Sequence, residues 1–166
     1  MTRAFPQAGR IDPSAIILHP EELVVGQHAR IEAFCFIAAP VEMAPYAVIQ
    51  PGVRVLGEER LILEWGAVLG CNSVVLTTLA RPDWHMSDAL PPSLKELEHG
   101  RVRIEAEAFI EPNVLLLPGV LVGRGAIVRA GSRVERDVPP WTILHPNGSL
   151  TPRPYEGVRE PKYHRL

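Results

Sequence analysis

Cysteine is scarce: the chain has only Cys35 and Cys71, too few for the disulfide framework of a small secreted domain. Aromatic residues make up 6%, which excludes a core built on large rings and leaves that task to Val, Ile and Leu. Neither sign of charge dominates. A formal charge of −2 gives no electrostatic footprint for nucleic acid. The opening stretch MTRAFPQAGRIDPSAIILHP has no apolar run long enough for a signal peptide or a membrane span. A cytosolic location is expected.

What the chain does have is proline and glycine, 17 and 13 of them in 166 residues, and they recur in register with a repeat. From Ile104 to Pro139 the sequence divides into sixes: IEAEAF, IEPNVL, LLPGVL, VGRGAI, VRAGSR, VERDVP. Each block opens with a branched aliphatic: Ile104, Ile110, Leu116, Val122, Val128, Val134. The fifth place is small or β-branched: Ala108, Val114, Val120, Ala126, Ser132, Val138. A period of six matches neither a helix of ~3.6 residues per turn nor a two-residue strand alternation. It matches a chain that runs briefly extended, turns, and lays an aliphatic side chain inward on each flat face of a solenoid.

The same sixes begin at Val25 and run to Arg60, led by Val25, Ile31, Ile37, Met43, Ile49 and Val55. A two-residue slip near Glu58 to Ile62 reads as a corner bulge, after which Leu63, Leu69 and Val75 resume the pattern. The blocks make about five coils in an all-β solenoid. Residues 1–24 carry Pro6, Pro13 and Pro20 without a clean period and read as a cap covering the first coil. Coils then occupy 25–80 and 104–141, separated by an aperiodic loop over 81–103 and followed by an irregular tail over 142–166. Within the loop, PSLKELEHG predicts a helical turn or two, with Ser93 as N-cap and Gly100 after its end. A loop of that length is usually functional.

The repeat run, most specifically VLLLPGVLVGRGAIVRAGSRVERDVPPWTI, resembles the closing segment of the hexapeptide-repeat acyltransferases, sugar O- and N-acetyltransferases among them. The long loop matches that group in position, with Asp83 at its start and Leu90-Pro91-Pro92 at its end. The resemblance implies a left-handed parallel β-helix assembled as a homotrimer, with acetyl-coenzyme A in the cleft between subunits. It implies acetyl transfer to a hydroxyl or amine of a sugar or nucleotide-sugar. Two departures stand out. Leu79-Ala80-Arg81 occupies the place of the usual catalytic histidine, and His145-Pro146-Asn147-Gly148 replaces a Gly-x-Pro-Ala segment.

Acetyl transfer requires a base that takes the acceptor proton, usually histidine, and donors for the developing oxyanion. His85 leads because it lies in the long loop, flanked by Asp83 and Trp84, with Asp83 or Asp88 available to orient its ring and Trp84 available to shield the site or stack on a sugar. His99, at the end of the loop, and His28, at an outward corner that would face a neighbouring subunit, rank behind it; His145 and His164 belong to the tail. For coenzyme A, the outward Arg124, Arg129, Arg133 and Arg136 would meet phosphates, Gly119, Ala130 and Gly131 would let the pantetheine arm approach the backbone, and Trp141 would meet the adenine. Each has a plainer reading as solvated arginine, turn residue or packing. A zinc site of the type found in one branch of this fold needs paired histidines five residues apart, and no two histidines here have that spacing. The rival reading is a non-catalytic solenoid, a scaffold or binding trimer.

Overall fold

The computed structural model describes residues 8–81, 85–87 and 89–154. Short strands stack in parallel on three faces. Face one carries Arg10–Ile11, Arg30–Ile31, Val48–Ile49, Val68–Leu69, Phe109–Ile110, Ile127–Val128 and Thr142–Leu144. Face two carries Ile16–Ile17, Phe36–Ala38, Arg54–Leu56, Val74–Leu76, Leu115–Leu116 and Arg133–Val134. Face three carries Leu23–Val25, Val41–Met43, Leu61–Leu63, Val102–Ile104 and Leu121–Val122, prolonged by a parallel bridge from Val122 to Val138. The result is a parallel β-solenoid of about seven turns, against the five expected. The additional turns come from both ends: residues from Arg10 onward already build a coil, and Thr142–Leu144 begins another.

The repeat works by stacking like on like. Ile31, Ile49, Leu69, Ile110, Val128 and Leu144 form one inward column on face one, each at most 5% exposed. The other block-leading residues from Ile37 to Val134 are buried too. Every such aliphatic removed from water contributes about 1.5–3 kcal/mol. The fifth residues are small because they sit at corners, where the chain turns and there is room for an Ala, Val, Cys or Ser. The turns themselves repeat. His28, Tyr46, Gly66, Glu107, Gly125 and Trp141 take left-handed backbone at one corner, as do Phe34, Gly52, Asn72, Asn113 and Gly131 at the next.

The predicted slip is visible in the strand register. Leu23 pairs with Val41, three blocks on, whereas Val41 pairs with Leu61, three blocks and two residues on. The extra residues lie between Arg54–Leu56 and Leu61–Leu63, so the stack is unbroken. The long loop differs from expectation at both ends. It leaves the solenoid as an antiparallel hairpin, Thr78–Ala80 with Leu97–His99, so its first strand starts inside the stretch assigned to the coils. The helical turn over PSLKELEHG is confined to a 3-10 turn at Pro92–Leu94; the rest is extended because Leu97–His99 hydrogen-bonds across to Thr78–Ala80. At the far end, Leu150–Pro152 folds back antiparallel on Thr142–Leu144 and closes the last coil. No helix among the described residues is long and apolar enough to cross a membrane.

Candidate functional site

One place interrupts the stack. In the fourth coil the chain finishes face two at Val74–Leu76, buries Thr77, and then rises into the hairpin instead of crossing to face three. It returns through Gly100 and resumes at Val102–Ile104 against Leu61–Leu63. The coil before braces this exit. Gly57, at φ +128°, turns the corner so that the Glu58 N–H donates to Thr78 Oγ1 at 3.0 Å and the Glu59 N–H to Thr77 Oγ1 at 3.2 Å. Gly57 has no room for a Cβ, which would run into the Thr77 hydroxyl and the Thr78 nitrogen. Farther out, Arg81 pairs with Glu96 at 3.0 Å, and the Arg81 N–H donates to the Glu96 carbonyl at 2.9 Å.

His99 stands at the root of the hairpin. Its Nδ1 lies 3.1 Å from Thr78 Oγ1 and 3.7 Å from a Glu58 carboxylate oxygen. Nδ1 and the Thr78 hydroxyl share one hydrogen bond whose direction follows the tautomer, and the Glu58 carboxylate lies where it would pair with an imidazolium. Nε2, on the far side of the ring, has no hydrogen-bond partner among the described residues, and the side chain is 40% exposed. A hydroxyl, an imidazole and a carboxylate are thus gathered from three separated points of the sequence. Glu58 and Thr78 were missed by the sequence reading, which placed one in a bulge and the other in a coil. The adjacent Thr77-Thr78 pair opposite the two-residue insertion was the available signal.

His85, the leading sequence candidate, lies exposed on the loop, with no hydrogen-bond or ion-pair partner among the described residues. Asp83, Trp84 and Asp88 lie outside the described residues. His28 sits at the corner between faces three and one, where its ring stacks on Tyr46 at a centroid distance of 5.0 Å and 23° between planes. Tyr46 in turn meets Trp65 edge-on at 5.9 Å. These three rings belong to successive coils and form an aromatic column separate from the hairpin corner.

The candidates for coenzyme A are dispersed along the later coils. Arg129 and Ala130 are both engaged by Glu111, which accepts from the guanidinium at 2.7 Å and from the Ala130 N–H at 2.8 Å. Arg124 pairs with Glu107 at 3.4 Å, and Arg133 pairs with Glu135. Arg136 differs: it donates to the Gly148 carbonyl at 3.2 Å, has no carboxylate partner among the described residues, and lines a cavity of about 360 Å³ with Asn147 and Leu150. Gly131 turns the corner at φ +77° with open space where a Cβ would point. Gly119 lies against the returning hairpin at Gly100. Trp141 covers Gly125 and carries the Arg153 guanidinium 5.6 Å from its ring centroid, an arrangement of packing. No cluster of three or more His, Cys, Asp or Glu able to hold a metal ion occurs among the described residues.

Comparison with known proteins bears on the fold and on part of the sequence. No family model matches the chain. YvoF of Bacillus subtilis (strain 168), named as an acetyltransferase, is 46% identical over 89 residues, which are 54% of this chain and 45% of its own length. WbbJ of Escherichia coli (strain K12), named for O-acetyl transfer in lipopolysaccharide biosynthesis, is 34% identical over 58 residues, 35% of this chain and 30% of its own. The chain thus spans less than half the length of these relatives. Among solved structures, AntD, an N-acyltransferase from Bacillus cereus in complex with dTDP and 3-hydroxybutyryl-CoA, has a TM-score of 0.77 at 23% identity. That match covers 81% of this chain and 75% of AntD. The resemblance to hexapeptide-repeat acyltransferases therefore holds in fold and, over part of the chain, in sequence.

Proposed function

We propose that this protein transfers an acyl group, acetyl in the first instance, from coenzyme A to a hydroxyl or amine on a sugar or nucleotide-linked sugar. The observation that carries the proposal is the fourth coil, where an otherwise unbroken stack opens to launch a hairpin and gathers Glu58, Thr78 and His99 at its root. The partial relatives named as acetyltransferases support the reaction class. AntD supports the acceptor class, since its complexes include one with dTDP-4-amino-4,6-dideoxyglucose and coenzyme A.

The reaction needs the acceptor and the thioester held together, a base at the acceptor proton and donors at the oxyanion. Arg136, without a carboxylate partner among the described residues, suits a phosphate of coenzyme A. A trimer is supported by face one, which turns Val48, Val68, Phe109, Ile127 and Ile143 outward in consecutive coils. Such a stripe would be covered by a second copy of the chain, and the acceptor would then bind between subunits.

A binding solenoid without catalysis is the second reading, favoured by the pairing of Arg124, Arg129 and Arg133 with their own glutamates. Thermal unfolding with millimolar coenzyme A, together with release of free thiol from acetyl-coenzyme A in the presence of amino- and hydroxy-sugars, separates the two. The transferase reading expects a raised Tm and acceptor-dependent thiol. No shift and no thiol would leave the binding solenoid.

A further inference from the structure

We infer that His99, held by Glu58 and Thr78, is the proton acceptor of the transfer step. This rests on the acyl-transfer reading above. Its basis is geometric: of the His residues in the hairpin and loop, His99 has its ring fixed through one nitrogen while the other is left open. Thr78 Oγ1 is itself immobilised, because it accepts the Glu58 N–H at 3.0 Å while meeting His99 Nδ1 at 3.1 Å. Glu58 therefore contributes twice, with its backbone to Thr78 and with its carboxylate to the ring. With the proton on Nδ1, Nε2 is free to take a second one, and the Glu58 carboxylate 3.7 Å away stabilises the imidazolium that forms. The antiparallel pairing of Thr78 with His99 sets the two side chains across one rung, so the geometry does not depend on the outer loop.

The step balances without any further reactant. The acceptor hydroxyl or amine attacks the thioester carbonyl carbon as Nε2 removes its proton, forming the new C–O or C–N bond and an oxyanion. Collapse of the oxyanion breaks the C–S bond. Nε2 then returns its proton to the departing thiolate, so the products are the acylated sugar and free coenzyme A, with His99 neutral again. Glu58 and Thr78 are positioning residues and do not touch the reacting atoms.

The test compares wild type with His99→Ala, His99→Gln, Glu58→Gln and His85→Ala, measuring acceptor-dependent thiol release and coenzyme A affinity on the full chain. Loss of a general base costs at least ~100-fold in kcat, so His99→Ala should fall by that much with coenzyme A affinity retained. Added imidazole should restore part of its rate. Glu58→Gln should lower kcat, by about 10-fold, with KM little changed. Nitrogen-15 NMR of the wild-type imidazole supplies a readout that holds even if the variants fold poorly: His99 should carry its proton on Nδ1. Acceptor-dependent turnover that survives His99→Ala, or depends on His85 in its place, would overturn the assignment while leaving the transferase reading intact; so would a ring protonated on Nε2. A wild-type protein that binds no coenzyme A and transfers nothing would overturn both.

Discussion

Glu111 and Arg129 are joined across adjacent coils, 2.7 Å apart, and the same carboxylate caps the backbone N–H of Ala130 at 2.8 Å. The device recurs. Glu64 takes the Ala106 N–H at 3.1 Å and pairs with Arg103, and Glu105 takes the Arg124 N–H at 2.8 Å. Gln50 and Ser73 do the same with neutral oxygens for the N–H groups of Cys71 and Val114. A solenoid corner leaves N–H groups that no strand partner satisfies, and a polar side chain from the coil before supplies the acceptor.

This arrangement predicts an acid-sensitive contribution to stability. Burial pushes the Glu111 carboxyl up, but the Ala130 N–H and the hydrogen bond and charge of Arg129 outweigh it and hold the group below its ordinary value of 4.5. A carboxyl depressed by folding contributes stability above its unfolded pKa and loses it as pH falls through the folded pKa. Glu111→Gln should therefore cost about 1 kcal/mol near neutral pH. The difference from wild type should vanish below the folded pKa. Urea unfolding at the two ends of that range checks it; a penalty that stays constant with pH would contradict the assignment.

The same pairing separates the arginines as ligands for coenzyme A. Arg129 must give up Glu111 before it meets a phosphate, whereas Arg136 gives up only the Gly148 carbonyl. Arg136→Ala should weaken coenzyme A about 10-fold, the scale of one charge-assisted hydrogen bond. Arg129→Ala should weaken it less while lowering Tm, because it strips Glu111 of its cation. Calorimetric titration of both variants reads the two effects apart, and an equal loss of affinity would mean that Glu111 releases Arg129 on binding.

The solenoid was legible because its rule is strict. Ile110, Leu116 and Val122 fall on successive faces at intervals of one block, Val128 returns to the first, and each is buried. The first coil escaped notice because it is out of phase: Ile11 and Ile17 are six apart but pair with Ile31 and Ile37, two residues beyond a three-block turn. His99 was a lesser candidate in the sequence, and its partners were not legible there for a different reason. Thr78 and His99 are 21 residues apart, and Glu58 reaches Thr78 over 20; only the stacking of one coil on the next, plus a hairpin whose pairing has no local period, brings them together. His85 had a suggestive sequence neighbourhood in Asp83 and Trp84, but nearness in sequence within a loop does not fix a ring.

Val122 tests the inward column directly. It is fully buried, pairs with Ile104, and bridges to Val138. Val122→Asp would place a carboxylate where no donor is available and should cost several kcal/mol, roughly 3 or more. Circular dichroism melting of the purified variant checks this; a soluble protein with unchanged Tm would mean the side chain points outward.

Gly100 and Gly119 answer whether the hairpin root must be rigid. A Cβ on Gly100 would overlap the backbone nitrogen and Cα of Gly119, atoms that cannot swing aside. A Cβ on Gly119 would point into space, with the Gly100 Cα 4.0 Å off, and meets only the penalty of its left-handed φ of +80°. Gly119→Ala should therefore cost about 1 kcal/mol and leave the returning strand on its rung. Gly100→Ala should cost about 1–3 kcal/mol as overpacking. It must also push the returning strand off its rung. Because His99 is the residue before Gly100, that displacement should lengthen the contacts to Thr78 and Glu58 and lower kcat more than the stability loss alone would at a temperature where both variants are folded. Comparing kcat of the two variants at such a temperature decides it: equal activity would show that the position of the hairpin root does not govern the chemistry.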